Sequence, residues 1–111
     1  MFNHERLVCY RLSMELAKKM PCLTNRWPRG YYYLSDQLKR ALSSIVLNIA
    51  EGNGRQSLVE RKRFFTISQA SANEVASIIE IAHAYDLIDK PNFEFFRCNL
   101  LQVVKILYKL K

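Results

Sequence analysis

From Ser57 to Leu87 the chain runs without a glycine or a proline, and its apolar residues keep helical spacing throughout. Phe65, Ser68, Ala72, Val75, Ile79 and Ala82 recur at strict three- and four-residue steps. A pattern that long describes a helix of about 45 Å. SLVE at its start reads as a capping box, with Ser57 as the cap and Glu60 three residues on. A second stripe holds Ile67, Ile78, Ile81 and Tyr85, with Glu74 inside it. A buried, unpaired carboxylate is costly, so Glu74 is expected to have a partner. Such a helix commits the chain to an all-α fold, because only 3 glycines and 3 prolines interrupt the whole sequence and no strand-like alternation persists.

Three further helical segments follow from the same periodicity. The first runs from about His4 to Met20, carries one stripe through Leu7, Tyr10, Met14 and Ala17 and another through Cys9, Leu12, Leu16 and Met20, and is expected to end at Pro21. The second is expected to start at Ser35, where Ser35 and Asp36 suit a helix N-terminus, and to stop at Gly52. Its main stripe is Leu38, Leu42, Ile45 and Ile49, flanked by the short residues Ala41, Ser44 and Asn48, which let a neighbouring helix approach closely. Pro91 and Asn92 open the last, whose core face is Phe93, Phe96, Leu100, Val104 and Leu107; Phe95 and Ile106 fall off that face and are candidates for an interface. The expected helices are about 4–20, 35–51, 57–87 and 92–110, within a single domain spanning 1–111. At least two of them carry more apolar surface than a single stripe needs, which points to a homo-oligomer or a protein partner.

Composition narrows the function classes. Half the residues are hydrophobic, which excludes a disordered chain. No apolar run approaches the roughly 18 residues of a membrane span, and no leader-like segment opens the chain, so a soluble, cytoplasmic protein without a membrane partner is expected. The 3 cysteines, Cys9, Cys22 and Cys98, are widely spaced, which argues against a disulfide framework or a zinc site. The net charge of +7 is uneven: residues 1–71 hold all of the excess, while residues 72–111 are balanced. That asymmetry suggests either a basic face for a polyanion or a solubilising surface.

The candidate binding residues are Lys18, Lys19, Arg26, Arg29, Lys39, Arg40, Arg55, Arg61, Lys62 and Arg63. The connection CLTNRWPRGYYY mixes basic and aromatic residues, which suits stacking on nucleic acid or capping one end of a bundle; buried aromatics usually serve packing, which favours the cap. GNGRQS lacks the spacing of either phosphate-binding glycine motif, so Gly52 and Gly54 read as turn residues. Glu51 stands at the unfavourable end of its helix dipole and needs compensating partners, either backbone N–H groups or an arginine such as Arg55 or one of another subunit, with Asn48 in the same polar network. Glu80 and His83 form one Glu-x-x-His, half of a dimetal signature, and the other histidine, His4, stands at the chain end. No nucleophile motif is present, and no cofactor, metal or enzymatic activity is expected.

The stretch LSDQLKRALSSIVLNIAEGNGR, Leu34 to Arg55, resembles the signature of the bacterial 23S rRNA intervening-sequence proteins. Gln37, Leu38, Lys39, Arg40 and Ala41 match its first part; Asn48, Ile49, Ala50, Glu51, Gly52, Gly54 and Arg55 match its NIAEG-x-GR core; Ser71 and Glu74 match the following helix. Val46 and Leu47 stand where the family commonly has proline and a small residue, and Ala70 replaces a glycine, so a straighter second helix and a looser approach at Ala70 are expected. The resemblance implies an up-down-up-down antiparallel four-helix bundle that assembles into a homopentameric ring. Related bundle proteins serve diversity-generating retroelements, binding a reverse transcriptase and RNA. The expected function is therefore a non-enzymatic, nucleic-acid-binding accessory protein, with a reverse transcriptase as a further partner. The alternative is a protein–protein scaffold with no direct nucleic-acid role.

Overall fold

A computed structural model describes residues 3–111, with side chains from Arg6 onward. The described residues form helix α1 (Asn3–Thr24), a 3-10 turn (Arg29–Tyr31), and helices α2 (Tyr32–Gly54), α3 (Leu58–Ala84) and α4 (Lys90–Leu110), with no strand among them. Sequence neighbours α1 and α2, α2 and α3, and α3 and α4 pack side by side, and α1 closes against α4. Among the described residues no helix is long and apolar enough to cross a membrane.

The main stripes of the helices become one core, while Leu7, Ile67, Ile81 and Tyr85 of the others stay exposed. Leu16, Leu38, Leu42, Ile45, Ile49, Phe65, Val75, Ile79, Phe96, Val103 and Leu107 are all buried to within a few per cent. Each large side chain taken wholly out of water contributes about 1.5–3 kcal/mol. The α2–α3 seam is the most extensive contact between helices. Ser68 donates its hydroxyl to the Ile45 carbonyl at 2.9 Å. The Ser44 and Ser71 hydroxyls meet at 2.7 Å.

Helix ends depart from the sequence expectation wherever a local signal competes with packing. Pro21 lies inside α1, which continues to Thr24. A proline this near the C-terminus forfeits one ladder bond, that to the Ala17 carbonyl, and its fixed φ suits a helix. The extra turn buries Thr24 and carries Trp27 into the core. Ser35 does not cap α2: the helix starts at Tyr32, propagated from the 3-10 turn that Tyr31 N–H closes onto the Pro28 carbonyl at 2.9 Å, and Ser35 is buried within it. Gly52 does not stop α2 either, since the helix runs on to Gly54. Helix α3 ends at Ala84 rather than Leu87, because Asp86 takes the left-handed conformation (φ 59°) and Leu87 N–H returns to the Ala82 carbonyl at 2.8 Å. That is a Schellman closure with aspartate in the glycine position, which aspartate tolerates better than most residues. Ser57 caps α3, its hydroxyl accepting from Glu60 N–H at 3.4 Å. Asp89 caps α4 by accepting from Asn92 N–H at 2.9 Å, with Pro91 in the first turn, where its missing N–H costs nothing.

Gly52 is a packing residue. A Cβ there would sit 2.6 Å from Phe65 Cε1 and 3.2 Å from Phe64 Cβ, whereas at Gly54 it would meet nothing within 4 Å. Gly52→Ala should lower unfolding stability by about 1–3 kcal/mol through overpacking. Gly54→Ala should raise it slightly, up to about 1 kcal/mol, by stiffening the unfolded chain. Chemical denaturation of the two variants reads the opposite signs.

Candidate nucleic-acid interface

The ten basic candidates do not converge on a single patch. Lys18 and Lys19 are exposed near the end of α1, Arg26 and Arg29 in the connection that follows, and Lys39 and Arg40 on the early turns of α2. Arg55, Arg61, Lys62 and Arg63 gather at the α2–α3 joint, and all but the half-buried Arg61 are exposed. The 23 residues of α2 span about 34 Å between the connection and the joint. The charge excess is therefore split between two places.

At the joint, Arg55 is engaged within the chain. Its guanidinium lies 3.0 Å from Glu51 Oε2, 3.8 Å from Glu60 Oε2 and 5.1 Å from the centre of the Phe64 ring. Arg61 donates its Nε–H to the Arg55 carbonyl, and the Arg63 guanidinium lies 5.5 Å from the same Phe64 ring. Glu51 thus meets its compensating charge from Arg55, one helical turn on. Both side chains are about half exposed (44% and 54%), so solvent screens the pair. Asn48 lies outside this network. Its Nδ2 donates to the Ser44 carbonyl at 2.8 Å and Ser44 Oγ at 3.1 Å, which ties it to the Ser44–Ser71 contact in the α2–α3 seam.

At the other end, Trp27 is buried and donates its indole N–H to the Leu87 carbonyl at 2.9 Å, holding the α1–α2 connection against the α3–α4 connection. Tyr31 packs on Tyr85, ring centres 5.6 Å apart. The capping reading holds for Trp27 and Tyr31 but not for Tyr32 and Tyr33, which are 53% and 55% exposed. Lys19 Nζ sits 4.2 Å above the Phe95 ring. The groove beside it is lined by Lys19 and Arg26 but also by Asp86 and Asp89, so it is not of one sign.

Several stripe residues fall differently from expectation. Glu74 stands on an exposed row of α3 with Ile67, Ala70 and Ile81, while Ile78 turns inward. A solvated carboxylate needs no partner, and no ion pair or hydrogen bond engages Glu74 among the described residues. Ala70 accordingly makes no close approach inside the chain. Phe95 and Ile106 are half-buried and pack against the core; the exposed apolar residues of α4 are Leu101 and Tyr108. Glu80 pairs with Arg97 at 3.8 Å and His83 stacks on Phe93, ring centres 4.3 Å apart, so each half of the Glu-x-x-His has another contact. The side chain of His4 lies outside the described residues, and no three His, Cys, Asp or Glu side chains converge among the described ones. An apolar cleft of about 110 Å³ lies between α3 and α4, walled by Ala72, Ala76, Ile79, Phe93, Leu100 and Val104.

These four helices, stitched by short connections, define a small helical bundle protein. The chain belongs to the 23S rRNA-intervening sequence protein family, whose sequence pattern matches residues 5–109. Its fold is similar to that of a Bacteroides thetaiotaomicron VPI-5482 protein of unknown function from the S23 ribosomal protein family. That pair aligns with a TM-score of 0.84 at 22% identity, over 95% of this chain and 96% of the other. No curated protein matches the chain.

Two features of the candidate site escaped sequence reasoning. The Tyr31–Tyr85 contact and the Trp27–Leu87 bond join residues more than fifty positions apart, and no local pattern encodes them. The Glu51–Arg55 pair, by contrast, shows as an i, i+4 spacing. A double-mutant cycle on Glu51→Ala and Arg55→Ala should give a coupling of about 0.2–1 kcal/mol that shrinks with added salt, as exposed pairs do. The thiols should also separate by reactivity. Burial pushes Cys9 up to about 11, whereas Cys22 and Cys98 are exposed. Iodoacetamide at mildly alkaline pH should label Cys22 and Cys98 in the folded protein and spare Cys9, read by mass spectrometry.

Proposed function

We propose that this protein is a non-enzymatic, oligomeric accessory protein of the cytoplasm that binds RNA or DNA through the phosphate backbone. The observation that carries the reading is the state of the basic side chains. Of the ten candidates, only Arg55 has a carboxylate within 4.0 Å among the described residues; Lys19 and Arg63 meet rings, Arg61 a backbone carbonyl, and the others are exposed. Cations left without carboxylates keep their attraction for a polyanion, and phosphate contacts of this kind carry affinity without sequence readout. Arg55, neutralised by Glu51 and Glu60, drops out of the set.

The assembly part of the proposal is an up-down-up-down antiparallel bundle forming a homopentameric ring. Short connections favour that topology, as does the 3.0 Å bond from Arg6 to Asn53, which sets the start of α1 beside the end of α2. The outer row of Ile67, Ala70 and Ile81 on α3, together with Leu47 on α2 (63% exposed), supplies apolar surface for copies to cover. Ala70 and Glu74 in that row would then lie at the contact between copies. A scaffold reading, with a reverse transcriptase or another protein as client, is favoured by Leu58 and Val59, 74% and 80% exposed at the start of α3.

Affinity for nucleic acid, measured by fluorescence anisotropy, should fall linearly with salt on a log–log scale. Arg61→Glu with Lys62→Glu and Arg63→Glu should make that slope shallower by about 0.7–0.9 for each phosphate no longer neutralised. Affinity independent of salt overturns the reading. A protein partner retained after nuclease treatment and after the same charge reversals points to the scaffold instead. Light scattering should give five times the chain mass for the ring.

A further inference from the structure

We propose that the outward face of the first turns of α2, opened by Tyr32 and Tyr33, is a stacking platform for single-stranded nucleic acid. The inference rests on the phosphate-binding reading and adds that unpaired bases, not a duplex, are what the surface takes.

Two adjacent tyrosines stand more than half exposed at the start of a helix, where a chain gains nothing by leaving large rings in water. They are held on a rigid base. The 3-10 turn leads directly into α2, Tyr31 packs on Tyr85, and buried Trp27 ties the connection to the Leu87 carbonyl. A preformed platform spends little ordering entropy when a ligand stacks on it.

Helical register then supplies the charges. Lys39 follows Tyr32 by seven residues and Arg40 follows Tyr33 by seven, so each cation lies in line with a ring about 10.5 Å further along the helix. All four side chains are exposed. Beyond the cations the strip continues as a shallow groove lined by Ser43, Ser44 and Asn48. On the other side of the rings stands Arg29, exposed in the 3-10 turn, and the first turn of α2 holds no acidic residue. Asp36 is the one carboxylate along the strip, one turn after Tyr32.

Rings flanked by cations at this spacing match the two requirements of a single strand: faces for bases and positive charge for the backbone between them. A protein client would not call for cations on both sides of the rings. A duplex keeps its bases stacked on one another and offers the rings only backbone.

The test uses the full chain with labelled oligo(dT) and oligo(rU), a duplex of the same length, and polyphosphate, which has charge but no bases. Tyr32→Ala combined with Tyr33→Ala should weaken both single strands by about fivefold or more and leave duplex and polyphosphate binding unchanged. Tyr32→Phe with Tyr33→Phe should restore single-strand affinity, because the ring face is kept. In the wild-type protein, oligo(dT) should shield Tyr32 and Tyr33 from nitration, a readout that needs no variant. A preference between the two oligonucleotides assigns the strand as RNA or DNA.

Equal single-strand affinity in the alanine pair and the wild type, or nitration unaffected by oligo(dT), overturns the platform while phosphate binding stands. Failure to bind any of the polyanions overturns both readings together. A changed oligomer mass in the alanine pair, with nucleic-acid affinity intact, assigns the rings to a contact between copies and also overturns the platform.

Discussion

The contact on which the rest of the structure depends is that between Gly52 and the Phe65 ring. With no Cβ at position 52, the ring lies directly on the α2 backbone, and the two helices come close enough for hydroxyls to bond across the seam. Buried hydroxyls must find partners. The Ser68–Ile45 and Ser44–Ser71 bonds therefore fix the register of α3 on α2 as well as their separation. That register sets which residues remain outside. It turns Lys39, Arg40 and Leu47 of α2, and Ile67, Glu74 and Ile81 of α3, away from the core.

Electrostatics follows from the same geometry. The opposite charges around the joint that fall within reach of one another are consumed locally, with Arg55 between Glu51 and Glu60. The carboxyl terminus of α2 would otherwise place Glu51 in an unfavourable field. Elsewhere the basic candidates have no carboxylate within 4.0 Å among the described residues, although Lys19 and Arg26 share a groove with Asp86 and Asp89, so most of the charge excess is not neutralised within the chain. A surface of that kind raises encounter rates with polyanions and keeps copies soluble.

The helical class of the fold was legible because α3 writes its period over many residues, and Ser57 was legible as a cap because capping is local chemistry. Pro21, Ser35 and Gly52 misled for the opposite reason. Each carries a strong local signal, and each is overruled by tertiary burial: that of Thr24 and Trp27 beyond Pro21, that of Ser35 itself, and that of Phe65 against Gly52. The α3 stripe through Ile67, Glu74 and Ile81 was visible as a stripe, but periodicity carries no sign for inside or outside. Of the candidate site, the basic residues and the Glu51–Arg55 spacing could be read directly. The division of the charges between connection and joint could not, since it depends on how the helices fold back on one another.

The burial of Trp27 has a practical consequence. It is the chain's one tryptophan, and its indole is bonded to the far connection. Its emission is thus an optical gauge placed at one end of the bundle. Loosening of the two connections shifts that emission toward the red, while fraying of the α2–α3 joint, the length of α2 away, leaves it unchanged. Unfolding followed by this emission and by far-ultraviolet circular dichroism samples different parts of one molecule. The gap between the two curves measures how cooperatively the ends melt.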